Sequence, residues 1–177
     1  MRVYVGTTLE QLQALRDKGF EPPVRAHAVT PSLREWYVEG DQEELEYAAF
    51  LDAARDSLQL LAAPTAPSSG RRVVVAADVP DDQVHHEPGT LEDSQRSAVR
   101  LDQSLSAEHA ASIHVDDDVA LGDVAAAATA LAAAQAGDED AQFTVDGADG
   151  HELAWYDVSE LDDVLALAGS TVHGPNA

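Results

Sequence analysis

The segment at residues 72–78 constrains the fold more than any other part of the sequence. Its central residues, 73–77, are all valine or alanine, with no polar side chain among them. A strand covered on one face alternates apolar and polar residues, whereas a continuous apolar run is typical of a strand covered on both faces. The sequence therefore predicts a central strand here, with helices packed on both faces of its sheet.

Helix-start signals separate this strand from other strand-like segments. Thr30 followed by Pro31 is typical of a helix start, because proline is favoured at the first helical position. Asp41 and Glu44 have the spacing of a capping box, in which each side chain bonds to the other residue's backbone. The sequence therefore predicts two helices here, the second of them long.

The alternation of strands and helices predicts an α/β fold. We expect a single compact domain over residues 1–168, with five or six strands in a mostly parallel or mixed sheet and helices on both faces. The expected irregular parts are a flexible connector (63–70), a long loop (80–95), a polar loop (138–150) and a disordered tail (169–177).

The charge of the chain excludes several classes of function. It has 33 acidic and 10 basic residues, a formal charge of −23, and no cysteine. Such a field repels phosphate groups, so we expect neither direct nucleic-acid binding nor membrane binding. The absence of cysteine excludes disulfides, thiolate metal sites and a cysteine nucleophile. The acid excess is interpreted as a solvated surface, with high-salt adaptation, genome bias or capture of a basic protein as alternatives.

Three aspartates each follow a predicted strand: Asp78, Asp116 and Asp157. If these strands are parallel neighbours, their carboxylates meet at one edge of the sheet, where ligands bind in open α/β folds. Hard cations such as Mg²⁺ or Mn²⁺ take oxygen ligands of this kind. This pattern favours a metal-dependent hydrolase as an alternative function. Aspartate is also a common turn and cap residue, so each position has a structural explanation as well.

No motif for nucleophilic catalysis is found in the sequence. There is no Gly-x-Ser-x-Gly turn, and the spacing of serine, histidine and aspartate selects no triad. We therefore expect His27 and the other isolated histidines to be core or surface residues, and we expect no catalysis.

Aromatic residues are scarce, yet three of the nine fall between residues 33 and 47. Trp36 and Tyr37 are adjacent, Tyr47 follows, and Arg34 lies beside them. Tryptophan, tyrosine and arginine are enriched at the centres of protein interfaces. These four residues are therefore candidate binding residues. The alternative is that Trp36 or Tyr37 fills the core where two helices meet.

Several segments together resemble a family of uncharacterised actinobacterial proteins, a domain of unknown function. The segments are residues 1–5 (MRVYV), 26–37 (AHAVTPSLREWY), 40–47 (GDQEELEY), 71–80 (RRVVVAADVP), 138–143 (DEDAQF) and 151–157 (HELAWYD). Gly6 stands where similar proteins are expected to have proline. The resemblance implies the cytoplasm of a GC-rich bacterium, which accounts for the bias toward arginine and alanine. It implies no activity and transfers no catalytic residue.

The sequence therefore favours a small, acidic, cytoplasmic protein that acts by binding, without catalysis and without a resident cofactor. Its partner is expected to be another protein. A cytoplasmic location is expected because the chain opens on a strand-like segment rather than a signal peptide and has no apolar run long enough to span a membrane.

Overall fold

The computed structural model describes residues 1–65, 69–86 and 96–169, which form a seven-stranded sheet with six α-helices. The strands are β1 (Arg2–Thr7), β2 (Val24–Ala28), β3 (Val73–Asp78), β4 (Val84–His86), β5 (Ala98–Leu101), β6 (Ala110–Val115) and β7 (Ala154–Tyr156). The helices are α1 (Leu9–Asp17), α2 (Pro31–Trp36), α3 (Gln42–Ala62), α4 (Leu121–Gln135), α5 (Glu139–Asp149) and α6 (Leu161–Ala166). None of these helices combines the length and apolarity needed to cross a membrane.

The strands lie in the order β4-β5-β2-β1-β3-β6-β7, and every neighbouring pair is antiparallel. Strand β3 lies between β1 and β6, and its residues 73–77 are fully buried. Val73 and Val75 face α1 and α6, whereas Val74 and Ala76 face α3. The continuous apolar run thus has helices on both of its faces, as predicted.

The prediction of five or six strands in a mostly parallel or mixed sheet is wrong. Residues 138–150, predicted to be a polar loop, contain α5, which begins at the side-chain cap of Asp138. Helix α4 leads the chain away from the end of β6, and α5 packs along α4 and brings it back. Strand β7 therefore starts where β6 ends, with Ala154 opposite Val115, and runs antiparallel to it. A single helix would have returned the chain to the other end of the strands, so that β7 ran parallel to β6, as in a parallel crossover.

The strand count differs because β4 lies inside the predicted loop at residues 80–95, where it pairs with β5. Residues 87–95 of that loop, residues 66–68 of the predicted connector and residues 170–177 of the predicted tail lie outside the described residues.

The two helix starts are as predicted. The Thr30 side chain accepts a hydrogen bond from the Leu33 amide, and Asp41 and Glu44 form a reciprocal capping box at the start of α3. Helix α3 then crosses β1 closely. A Cβ atom added to Gly6 would collide with the carbonyl oxygen of Ala53. This approach requires glycine at position 6.

Gly6→Ala should therefore destabilise the fold by about 3 kcal/mol, because two backbone segments must separate to admit the methyl group. Gly147→Ala, inside α5 with open space around the added atom, is the matched control and should stabilise by about 0.5–1 kcal/mol. Urea denaturation of both variants measures the difference. Equal effects of the two changes would contradict the close approach.

Candidate functional site

A cleft of about 440 Å³ lies on the sheet face that carries α3. Helix α3 packs over β1 and β2, and its N-terminal half forms one wall. The floor and the other wall come from β1, β3, β6 and residues 151–155. The cleft exists because α3 covers only part of this face.

Aromatic side chains line both the floor and the mouth of the cleft. The Phe50 ring centroid lies 4.9 Å from that of His114 and 5.9 Å from that of Tyr4, both in edge-to-face contact. Tyr47 stacks on Phe50 at 6.3 Å and is 53% exposed. Across the cleft, Trp155 is 60% exposed. Two rings are thus accessible at the mouth, above a packed aromatic floor.

Local periodicity places these side chains. In α3, residues 43, 46, 47 and 50 share one helix face, because residues three and four apart lie above one another. His114 of β6 is the cross-strand partner of Trp155 in β7, so both side chains point to the same face of the sheet.

The charges of the cleft favour a cation. Arg2 donates two hydrogen bonds to Asp78, at 2.7 and 2.9 Å, so it already has a carboxylate partner. The other lining arginine, Arg72, is buried against Asp116. Among the described residues, the lining carboxylates form no salt bridge; they are Glu43, Glu46 and Glu152. The remaining charge of the cleft is therefore negative.

Two titratable groups at the floor are uncharged at neutral pH. Burial, and then the Glu46 carboxylate, raises the pKa of Tyr4 to about 12. Burial, and then the Arg2 charge, lowers the pKa of His114 below its ordinary value. His114 Nε2 lies 3.0 Å from the Ser112 hydroxyl. No carboxylate among the described residues orients the His114 ring, so this pair lacks the third member of a catalytic triad.

The structure separates the three aspartates expected to bind a metal. Asp78 pairs with Arg2, and Asp157 caps the 3₁₀ turn at residues 158–160, accepting from the Ser159 amide and hydroxyl. Because β6 is antiparallel to β3 and β7, Asp116 lies at the opposite end of the strands from Asp78 and Asp157. No group of three histidine, aspartate or glutamate residues within the described ranges is arranged to hold a metal ion.

Asp116 instead forms a buried ion pair with Arg72. Its oxygens accept from Arg72 Nη2 at 2.9 Å, from Nε at 3.0 Å and from the Arg72 backbone amide at 2.8 Å. Arg72 Nη2 also donates to the carbonyl oxygen of His151, at 3.1 Å. The pair joins the start of β3, the end of β6 and the segment that leads into β7.

Of the four candidate binding residues, one is among the residues that line the cleft. Tyr47 lines the cleft, and Arg34 donates to Gln42, whose amide donates to Glu46 at the cleft wall. Trp36 and Tyr37 are 56% and 44% exposed, so neither fills the core. Trp36 lies under the Arg96 guanidinium, 3.7 Å from the ring centroid, a cation–π contact. Arg96 precedes β5, which is separated from β6 by three intervening strands.

A serine, a histidine and two aspartates meet on the same face of the sheet, although nothing in their spacing along the chain indicates it. His27 Nδ1 lies 2.7 Å from the Ser97 hydroxyl, and Nε2 lies 2.8 Å from an Asp56 oxygen. The Ser97 hydroxyl also donates to Asp52, at 2.6 Å. Because Ser97 and His27 are fully buried, this network is structural and His27 is a core histidine.

Sequence reasoning missed the cleft residues Tyr4, Phe50, His114 and Trp155 as a group. A signal for one of them exists: Ser112 and His114 are polar residues at alternate positions of an otherwise apolar strand. Such alternation indicates a face that is not fully covered. The aromatic contacts themselves join residues from three separate segments, β1, α3 and β6.

Asp116→Asn should destabilise the protein by about 3–5 kcal/mol, because it leaves the buried Arg72 charge without its counter-charge. Replacing both partners, as Arg72→Met with Asp116→Leu, should cost less than either single change. The control is Asp162→Asn, which breaks an exposed pair with Arg16 and should cost at most about 1 kcal/mol. Denaturant unfolding measures all of these variants. A double variant as unstable as the sum of the two singles would contradict this interpretation.

His114 should titrate below the ordinary histidine pKa of about 6.5. Removing the nearby positive charge with Arg2→Gln should raise the pKa of His114, whereas Arg16→Gln should leave it unchanged. Since folding lowers this pKa, the unfolded chain binds the proton more tightly. The contribution of His114 to stability is therefore present above about pH 6.5 and is lost as the pH falls. NMR titration of the imidazole tests this; a pKa above 6.5 in the folded protein would contradict it.

Comparison with known proteins gives a family but no activity. No curated protein and no solved structure matches the chain significantly. One family matches residues 1–165, which include every residue of the cleft. The resemblance seen in the sequence to a family of unknown function is thereby confirmed, and the chain belongs to the family of unknown function DUF6912.

Proposed function

We propose that this protein acts by binding, without catalysis, and that its cleft receives a positively charged group presented by another protein. The observation that carries the proposal is the combination of accessible aromatic rings with carboxylates that lack salt-bridge partners in the described residues. Both arginines of the cleft already have carboxylate partners. An incoming cation therefore meets a negative charge that the protein itself leaves uncompensated.

The dimensions and walls of the cleft support a ligand of side-chain size. Its volume of about 440 Å³ is within the range of small-molecule sites, roughly 300–1,000 Å³. Tyr47 and Trp155 offer ring faces on which a guanidinium or ammonium group is attracted by the aromatic quadrupole. Glu46 and Glu152 supply the charge-assisted hydrogen bonds that such a group needs.

The chemistry of the site supports binding over catalysis. The Ser112–His114 pair has no orienting carboxylate within the described residues, and the buried Ser97–His27–Asp56 network excludes substrate. The aspartates expected to bind Mg²⁺ or Mn²⁺ are engaged elsewhere, so no observation favours the metal-dependent hydrolase.

The remaining properties of the chain support a cytoplasmic partner with a basic surface. A charge of −23 attracts basic proteins over distances of about a Debye length, roughly 8 Å at physiological ionic strength. We place the protein in the cytoplasm of a GC-rich actinobacterium, consistent with nine arginines to one lysine.

Fluorescence of Trp155 tests the proposal. The chain has two tryptophans, so Trp36→Phe leaves Trp155 as the only reporter, at the mouth of the cleft. We expect N-acetyl-arginine amide to change its emission with saturation at millimolar concentration. The isosteric neutral probe, N-acetyl-citrulline amide, should bind at least tenfold more weakly, about 1.4 kcal/mol, because it cannot pair with the carboxylates.

A matched pair of variants locates the binding. Glu152→Gln should weaken binding of the arginine probe by roughly 3- to 10-fold, since it removes one charged hydrogen-bond acceptor. Glu39→Gln, an exposed change outside the cleft, should have no effect. Equal binding of the two probes, or equal effects of the two variants, would refute the proposed site.

A further inference from the structure

From the free edge of the sheet beside the cleft, we infer that the partner binds as an extended segment that adds a strand to β7 and places one basic side chain in the cleft. This inference rests on the proposed function and specifies how the partner is held.

Strand β7 is the last strand of the sheet in the described part of the chain. It pairs with β6 along one side, through Ala154, Trp155 and Tyr156. Its other side presents backbone N–H and C=O groups to which a further strand can bond. Addition of a peptide strand to such an edge is a common mode of recognition.

The register of β7 directs the partner's side chains. Trp155 points to the cleft face, together with His114, whereas Tyr156 packs on the opposite face with the core around α6. In an added strand, the residue opposite Trp155 lies on the same face as Trp155. Because Trp155 lies between that residue and the rest of the cleft, a long basic side chain must extend across the Trp155 ring to reach the cleft carboxylates. The residues before and after it lie beside Ala154 and Tyr156. The partner segment is then a basic residue between two apolar ones.

Charge favours a basic peptide over a second copy of this chain. The exposed Glu152 and Asp157 flank β7 at its two ends. An antiparallel pair of two β7 strands would bring these acids of one copy close to those of the other, and like charges that face each other across strands destabilise the pairing. Acidic residues at a sheet edge are a known protection against self-association.

The shortness of β7 makes the cleft necessary for affinity. Three residues provide few backbone hydrogen bonds, and each contributes only about 0.5–1.5 kcal/mol. The edge alone therefore binds weakly, and a segment without a cation to fill the cleft should not be retained.

The test uses the Trp36→Phe protein and the peptide acetyl-Thr-Val-Arg-Val-Thr-amide. This peptide should bind at least tenfold more tightly than N-acetyl-arginine amide, because it adds backbone bonds to the cleft contact. In an extended strand, successive amides point to opposite sides. We therefore compare a peptide N-methylated at the arginine with one N-methylated at both valines. The peptide whose methylated amides face β7 should lose roughly 3- to 10-fold in affinity, and the other should bind nearly as well as the parent.

The outcomes separate this inference from the proposed function. If the arginine probes bind but neither methylation changes the affinity of the peptide, the proposed function is retained and strand addition to β7 is overturned. If replacing arginine by citrulline in the peptide changes nothing, the proposed function itself fails. Light scattering supplies the remaining outcome: if the mass of the protein doubles with concentration and the peptide reverses the doubling, the edge serves a second copy, which also overturns the inference.

Discussion

The buried ion pair between Arg72 and Asp116 is the interaction on which the arrangement of this protein depends. It fastens the start of β3 to the end of β6, and the bond to the His151 carbonyl fixes where the chain re-enters the sheet. A buried charge is tolerated when its partner and further hydrogen bonds compensate the loss of water. Here three hydrogen bonds from Arg72 to the Asp116 carboxylate provide that compensation, so the register between β3 and β6 is fixed.

The helical hairpin of α4 and α5 covers only one end of α3, and the cleft forms beside the other end. The hairpin packs against the C-terminal half of α3, where Leu58 and Leu61 meet Val124 and Val145. The N-terminal half of α3 extends past the hairpin, and no helix in the described part of the chain covers the cleft face of β6 and β7 beside it. Aromatic residues occupy this gap because a half-covered sheet face needs large side chains that tolerate water at one end.

The acidity of the chain and the geometry of the cleft favour the same kind of partner. Under the proposed function, the local carboxylates select a cation, and the overall charge repels polyanions and further copies of the chain. The Ser97–His27–Asp56 network shows why residue types alone do not establish catalysis. Those groups have hydrogen-bond distances like those of a triad, but their burial makes them part of the core.

The sequence by itself determined the features that depend on neighbouring residues: the doubly covered β3, the caps at Thr30 and Asp41, and the family. These are local, because periodicity and capping act within a few residues. Strand direction, the partner of Asp116 and the aromatic cleft were decided only by the tertiary structure. Helix α5 was missed because its polar residues hide a short apolar stripe at Ala141, Val145 and Ala148, and one missed helix reverses the expected direction of the strand that follows. The aromatic contacts of the cleft join Phe50 to Tyr4 and to His114, which are 46 and 64 positions away in the chain, and no local pattern encodes such a pairing.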